Sequence, residues 1–99
     1  MNVLMVRAKI REENVAEAKA AIEKVIQALQ QAKPAGVQYA SCLLGDGVTF
    51  VALLKLEDDG GHPLRDLPAY AEMVESLKQW YDGPPAAERM TVAGSYGLF

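Results

Sequence analysis

The one histidine in this sequence, His62, is the side chain best suited to moving a proton near neutral pH. It lies in the segment Gly60-Gly61-His62-Pro63, whose composition is typical of an exposed loop. With an unperturbed pKa of about 6.5, a histidine at the mouth of a pocket can act as a general base. The alternative interpretation is an exposed loop residue without a catalytic role. One histidine cannot build a multi-histidine metal site, so we expect no metal.

Three aromatic residues follow this loop at the spacing of a helix, namely Tyr70, Trp80 and Tyr81. Aromatic faces stack on planar ligands, and a phenol or an indole N–H can donate a hydrogen bond to a ligand oxygen. These residues therefore indicate a pocket for a planar substrate. The same spacing is also that of an ordinary core stripe, and both interpretations stay open at this point.

Composition and missing motifs exclude several classes of function. The chain has 99 residues, enough for one domain, and its net charge of −3 and ten scattered Lys and Arg residues argue against nucleic-acid binding. No apolar run approaches the roughly 20 residues of a membrane-spanning helix. The start lacks a signal-peptide pattern and the one cysteine, Cys42, cannot form an internal disulfide, so we expect a cytoplasmic protein. Neither a phosphate-binding loop nor a serine-hydrolase or zinc-protease motif is present.

The first half of the chain predicts a strand, a helix and a hairpin. Apolar and polar residues alternate from Asn2 to Ile10, which is typical of a strand. Asn14 with Glu17 three residues on resembles a capping box that opens an amphipathic helix, and Pro34 ends this helix.

The runs Val37–Leu44 and Val48–Leu56 are joined by Gly45-Asp46-Gly47, the chemistry of a tight hairpin turn. A two-residue loop at Asp46-Gly47 would put Tyr39, Ser41 and Leu43 on one face with Phe50, Ala52 and Leu54. A three-residue loop would alter that register.

The second half predicts a helix and a last strand. The helix begins near Pro68 and is ended by Asp82-Gly83-Pro84-Pro85, with glycine and then proline in the usual order. Alternation from Glu88 to Phe99 predicts a fourth strand, weakened by Gly94 and Gly97.

This order of elements predicts an α+β, ferredoxin-like βαββαβ domain over residues 1–99. Its sheet is antiparallel and four-stranded, with both helices on one face. The other face would expose a patch of apolar side chains, of the size that marks interfaces. We therefore expect a homodimer. The patch consists of Val3, Met5, Leu44, Val51 and Leu53.

The length, the element order, the hairpin at Gly45-Asp46-Gly47 and the aromatic-rich helix after a polar loop resemble the antibiotic biosynthesis monooxygenase family of dimeric α/β-barrels. The resemblance implies a homodimer with a pocket in each subunit between sheet and helices. Some members oxidise aromatic polyketides or quinols without a cofactor, and others degrade haem. The haem-degrading branch has an Asn in the first strand and an iron-binding His on the second helix. Here Val6 and Arg7 stand in that strand and the helix from Pro68 to Asp82 has no histidine.

The resemblance therefore implies a cofactor-independent monooxygenase for a small aromatic or quinol-like compound. A non-catalytic homodimeric protein that binds a small ligand, and an isomerase-like enzyme on the same scaffold, are the alternatives. Cofactor-free oxygenation requires a stabilised substrate anion, so a phenol or a basic residue should face the pocket. The residues expected to act in catalysis are His62, Trp80 and Tyr70. Those expected to bind substrate are Tyr39, Tyr81, Tyr96 and Arg89.

Each strand residue in these sets can also be read as an ordinary surface or ion-paired side chain.

We expect the loop from Asp58 to Asp66 to be the most mobile internal segment and to border any ligand site, because its glycines permit many backbone states.

Overall fold

The computed structural model describes the whole chain, residues 1–99. The helices and strands, in chain order, are β1 (Asn2–Lys9), α1 (Val15–Ala32), β2 (Tyr39–Leu43), β3 (Thr49–Lys55), α2 (Pro68–Trp80) and β4 (Ala86–Thr91). A single turn of 3-10 helix at Glu12–Asn14 precedes α1. The sheet is antiparallel throughout, with strand order β2-β3-β1-β4, which confirms the predicted ferredoxin-like fold.

The first helix begins at the predicted place but without the predicted cap. Asn14 is the N-cap residue, yet its side chain makes no hydrogen bond to the backbone of the first turn. Its amide instead donates to the Glu17 carboxylate at 3.0 Å, so the capping-box prediction is wrong in its bonding. The helix ends at Ala32, and its C-cap residue Lys33 is in the left-handed region with φ 47°, just before Pro34.

The hairpin has the register that was predicted, although its loop is longer than two residues. Tyr39 pairs with Leu54 and Leu43 with Phe50. The turn closes through the Gly47 N–H, which donates to the Leu44 carbonyl at 3.0 Å.

The side chain of Asp46 stabilises this loop through hydrogen bonds. Its carboxylate accepts the N–H groups of Val48 and Thr49 at 3.0 and 2.9 Å, and the Thr49 hydroxyl at 2.6 Å. These hydrogen bonds, led by that of the Thr49 hydroxyl, lower the pKa of Asp46 to about 2. The loop is thus pinned by an ionised carboxylate, which keeps the strand register fixed.

The fourth strand is shorter than the predicted range of Glu88 to Phe99. It ends at Thr91, which pairs with Asn2, the first residue of β1. The Val92 N–H still donates to the Met1 carbonyl, which is the last backbone hydrogen bond of this strand pair. Gly94 and Gly97 follow, and glycine weakens a regular strand.

Both helices pack on the same face of the sheet. A buried cluster lies there, formed by Ile10, just after β1, Ala18 of α1 and Phe50 of β3. Leu77 and Trp80 of α2 pack against that cluster. Neither helix combines the length and apolar composition that crossing a membrane requires.

The opposite face carries no helix and is apolar near its centre. Met5 and Leu53 pair directly across β1 and β3, and both are half-buried, as is Val51. Val3, predicted to be exposed on this face, is fully buried in the single chain. The open apolar patch is therefore smaller than the sequence indicates.

Candidate functional site

A cavity of about 90 Å³ lies between the helix-covered face of the sheet and the two helices. The period-two alternation of the strands creates it, because every second side chain of β1, β2 and β3 points to this side. Small residues leave the space: Ala8 and Ala52 stand where larger side chains would fill it. The lining residues are Leu4, Val6, Ala8, Ile10, Ile22, Tyr39, Ser41, Phe50, Ala52, Leu54, Tyr70, Met73, Val74, Leu77 and Tyr81.

The polar groups of this cavity are the phenols of three tyrosines and the Ser41 hydroxyl. Burial, with a further contribution from Tyr70 and a partial offset by Ser41, raises the pKa of Tyr39 to about 12. Burial likewise raises the pKa of Tyr70 and the pKa of Tyr81. All three phenols are therefore neutral at physiological pH and can donate a hydrogen bond to a ligand oxygen.

Tyr70 is joined to His62 at the edge of the cavity. The Tyr70 oxygen lies 3.2 Å from Nε2 of the imidazole, and the two ring centroids are 5.1 Å apart at an angle of 49°. On the other side of the imidazole, the Leu64 N–H donates to Nδ1 at 3.3 Å. Since Nδ1 accepts, the neutral ring carries its proton on Nε2 and donates it to the Tyr70 oxygen. The O–H of Tyr70 is then free to donate to a ligand.

His62 stays uncharged in this arrangement at neutral pH. Partial burial, and secondly the positive charge of Arg65, lower the pKa of His62 below its ordinary value, against a smaller opposing effect of a backbone hydrogen bond. A neutral imidazole is required for Nδ1 to accept the Leu64 N–H, and the lowered pKa favours that neutral form.

Three of the predicted site residues meet at one place. Tyr39, Tyr70 and Tyr81 line the cavity, from β2, from the start of α2 and from the residue after its end. His62 reaches the site through its hydrogen bond to Tyr70. Ser41 is a lining residue to which the sequence assigned no role, although its alternation with Tyr39 on β2 puts it on the same face.

Trp80 lies elsewhere in the structure. It packs against the buried cluster of Ile10, Ala18 and Phe50 and borders a shallow cleft between the helices with Glu17 and Met73. It does not line the cavity. In the single chain its position is that of a core residue.

Arg89 and Tyr96 also lie outside the cavity. Arg89 is on β4 and its guanidinium lies 3.4 Å from the Gly60 carbonyl, so it contacts the loop before α2. Tyr96 is fully exposed. Their roles as substrate-binding residues stay predictions.

The loop that carries His62 is organised by backbone hydrogen bonds. The Glu57 N–H donates to the Gly61 carbonyl and the Gly60 N–H to the Glu57 carbonyl, at 3.0 and 2.8 Å. Gly60 has a φ of 82°, in the region that favours glycine. The mobility expected for this loop stays a prediction. No group of three or more His, Cys, Asp or Glu side chains is arranged to hold a metal ion.

The sequence matches no family model. No curated protein matches it either. Similarity is found among solved structures, at the level of the fold.

A candidate antibiotic biosynthesis monooxygenase of Nitrosomonas europaea superposes with a TM-score of 0.78 at 14% identity, over 95% of this chain and 100% of the other. A variant of SnoaB, a cofactor-independent oxygenase of Streptomyces nogalater, gives 0.71 at 12% identity, over 97% and 96%. A monooxygenase from the gene ActVA-Orf6 of Streptomyces coelicolor, in complex with nanaomycin D, gives 0.64 at 21% identity, over 96% and 89%. The chain thus has the fold that its resemblance to the antibiotic biosynthesis monooxygenase family implied.

Proposed function

We propose that this protein is a homodimeric, cofactor-independent monooxygenase that acts on a small aromatic or quinol-like compound in the cavity. The observation that carries the proposal is the cavity itself: an apolar space beside the sheet whose polar groups are neutral hydroxyls, one of them held by His62. The structural likeness to SnoaB and to the Streptomyces coelicolor monooxygenase supports it at the level of the fold.

The chemistry needs no cofactor when the substrate supplies all the electrons. Anthrone is a suitable probe because its ring CH₂ group becomes a carbonyl. That carbon loses four electrons and two hydrogens, and O₂ gains the four electrons. One oxygen atom of O₂ becomes the new carbonyl oxygen, and the other leaves as water with the two hydrogens. The reaction is substrate plus O₂ to ketone plus water, and it is fully balanced. The protein then has to favour the electron-rich anion of the substrate, which is the form that reduces O₂.

Tyr70 is the group we assign to that task. Its free O–H can donate to the oxygen on which the anion's charge develops, and a hydrogen bond to the charged form lowers the substrate's own pKa. His62 acts through Tyr70 and is a positioning residue. No carboxylate or amine lines the cavity, so the substrate's proton leaves to water at the cavity mouth.

Oxygen uptake tests the proposal. The full-length protein is incubated with anthrone under ¹⁸O₂, and O₂ consumption is followed together with the mass of the product. We expect uptake well above uncatalysed autoxidation, and one ¹⁸O atom in each anthraquinone molecule. Heat-denatured protein serves as the control. Binding of the probe with no added uptake would overturn the oxygenase assignment and favour the ligand-binding alternative.

The homodimer is supported by the helix-free face. Met5, Val51 and Leu53 are only half-buried there, and an apolar surface of this kind is typical of an interface. Light scattering at micromolar concentration is expected to give twice the chain mass of 10.7 kDa. A particle of 10.7 kDa would contradict this part of the proposal.

A further inference from the structure

A surface groove adjoins the cavity on the outer side of α2. Tyr70 and Val74 line both the cavity and the groove, so the two spaces adjoin at these side chains. The groove has a volume of about 330 Å³ and is open to solvent. Its other lining residues are His62, Arg65, Ala71 and Glu75.

The cavity alone is small for an organic ligand. Ligand pockets usually have volumes of about 300–1,000 Å³, and the cavity has about 90 Å³. A compound larger than one ring, such as anthrone, or a ring with a side arm, must therefore extend beyond the cavity while its reacting part lies inside it. The groove is the adjoining space that shares two wall residues with it.

The groove offers one free positive charge. The carboxylate of Glu75 is paired with Lys78 at 2.9 Å, which offsets part of its charge. Arg65 is exposed and takes part in none of the chain's three ion pairs. Its charge acts on His62, which also lines the groove, and contributes to lowering the pKa of His62. A guanidinium is suited to a carboxylate because its paired N–H groups match the two oxygens.

We propose that the groove is a second subsite, in which Arg65 binds the carboxylate of an aromatic acid whose ring lies in the cavity. The inference rests on the proposed function of the cavity as the site for the aromatic ring, and it adds the chemical class of the substrate: an aromatic compound with an acidic side arm. Arg65 is a specificity-determining residue in this arrangement, and Tyr70 borders both subsites.

A matched pair of ligands tests this. The probes are 2,5-dihydroxyphenylacetic acid and its methyl ester, which share the ring and differ in the charge of the arm. Dissociation constants are measured by calorimetry with the full-length protein at low ionic strength. We expect the acid to bind about fivefold more tightly than the ester, near the upper end for an exposed ion pair. This preference should shrink as salt is added.

Two variants locate the source of the preference. Arg65→Ala is expected to bind acid and ester equally, with the affinity for the ester unchanged. Lys19→Ala removes the same charge from an exposed position on α1, outside the groove, and should keep the preference. Because both residues are exposed, the melting temperature should stay within a degree or two of the parent protein.

The possible failures are distinguishable. Acid preference that persists in Arg65→Ala, or equal binding of acid and ester by the parent protein, would overturn the subsite and leave the cavity proposal standing. If neither probe binds, the aromatic site in the cavity is wrong, and the subsite fails with it.

Discussion

Replacing Tyr70 with phenylalanine is expected to slow the oxygenation of anthrone about 100-fold, the effect typical of removing one hydrogen-bond donor to a developing oxyanion. The ring remains, so apolar contacts in the cavity are kept. The Tyr70 O–H is free to donate because its oxygen already accepts from Nε2 of His62. The loss should appear mainly in kcat, since the donor matters most when charge develops. Steady-state O₂ uptake measures it.

The control is Ser95→Ala, which removes a hydroxyl from an exposed side chain outside the cavity. It should leave kcat and KM unchanged. A Tyr70→Phe protein with full activity would show that the phenol does not stabilise the anion. A rise in KM alone, with kcat unchanged, would mean that Tyr70 only binds the ligand and takes no part in the chemical step.

Filling the cavity is expected to abolish ligand binding without unfolding the protein. Ala52 lies on β3 between Val6 and Ser41 and lines the cavity. Ala52→Leu adds three carbon atoms to this space. Each buried CH₂ group stabilises by about 0.8 kcal/mol, against a typical cost of about 1–3 kcal/mol if the fit is poor. We expect a melting temperature near that of the parent and at least a 100-fold loss of affinity for methyl 2,5-dihydroxyphenylacetate.

Ala40→Leu is the control for this variant. Ala40 is exposed on β2 and pairs with Leu53 on the face of the sheet that carries no helix. The same substitution there should leave the affinity unchanged. If Ala52→Leu binds the probe as well as the parent does, the ligand site is not the cavity, whatever the activity of the protein.

Much of the cavity could be predicted from the strand pattern. The alternation along β1 and the Asp46-Gly47 turn together determine which side chains share a face, so Tyr39, Ser41 and Ala52 were expected on one side of the sheet. The register is the predicted one despite the longer loop, because the Asp46 carboxylate accepts the N–H groups of Val48 and Thr49 and fixes the alignment of the two strands. The end of β4 was less accessible to sequence reasoning, because the alternation of side chains continues to Phe99 whereas the pairing with β1 stops at Thr91.

The second helix explains why the aromatic residues separate. At 100° per residue, Trp80 lies about 80° around the helix from Tyr70, which turns it towards α1 and the buried cluster. Tyr81, one residue later, is about 20° from Tyr70 in the same projection and lines the cavity. Helical spacing alone places Tyr70, Trp80 and Tyr81 in one stripe. The position of α1 determines which of them line the cavity and which packs against the buried cluster.

Loop residues carry no such periodicity. The contact between His62 and Tyr70 depends on how the chain turns between Gly60 and Pro68, through bonds such as that of the Leu64 N–H to Nδ1. Arg65 was not singled out from the sequence for the same reason. Its lack of an ion partner and its place in the groove are tertiary features.

The claim that the cavity between sheet and α2 is the ligand site is tested most directly by nuclear Overhauser effects. The measurement uses methyl 2,5-dihydroxyphenylacetate and protein with labelled methyl groups. The ring protons are expected to contact the methyl groups of Leu54, Val74 and Leu77, which line the cavity. Val51 and Leu53, on the helix-free face, should give no contacts. Contacts to Val51 and Leu53, with none to the cavity methyl groups, would contradict the account.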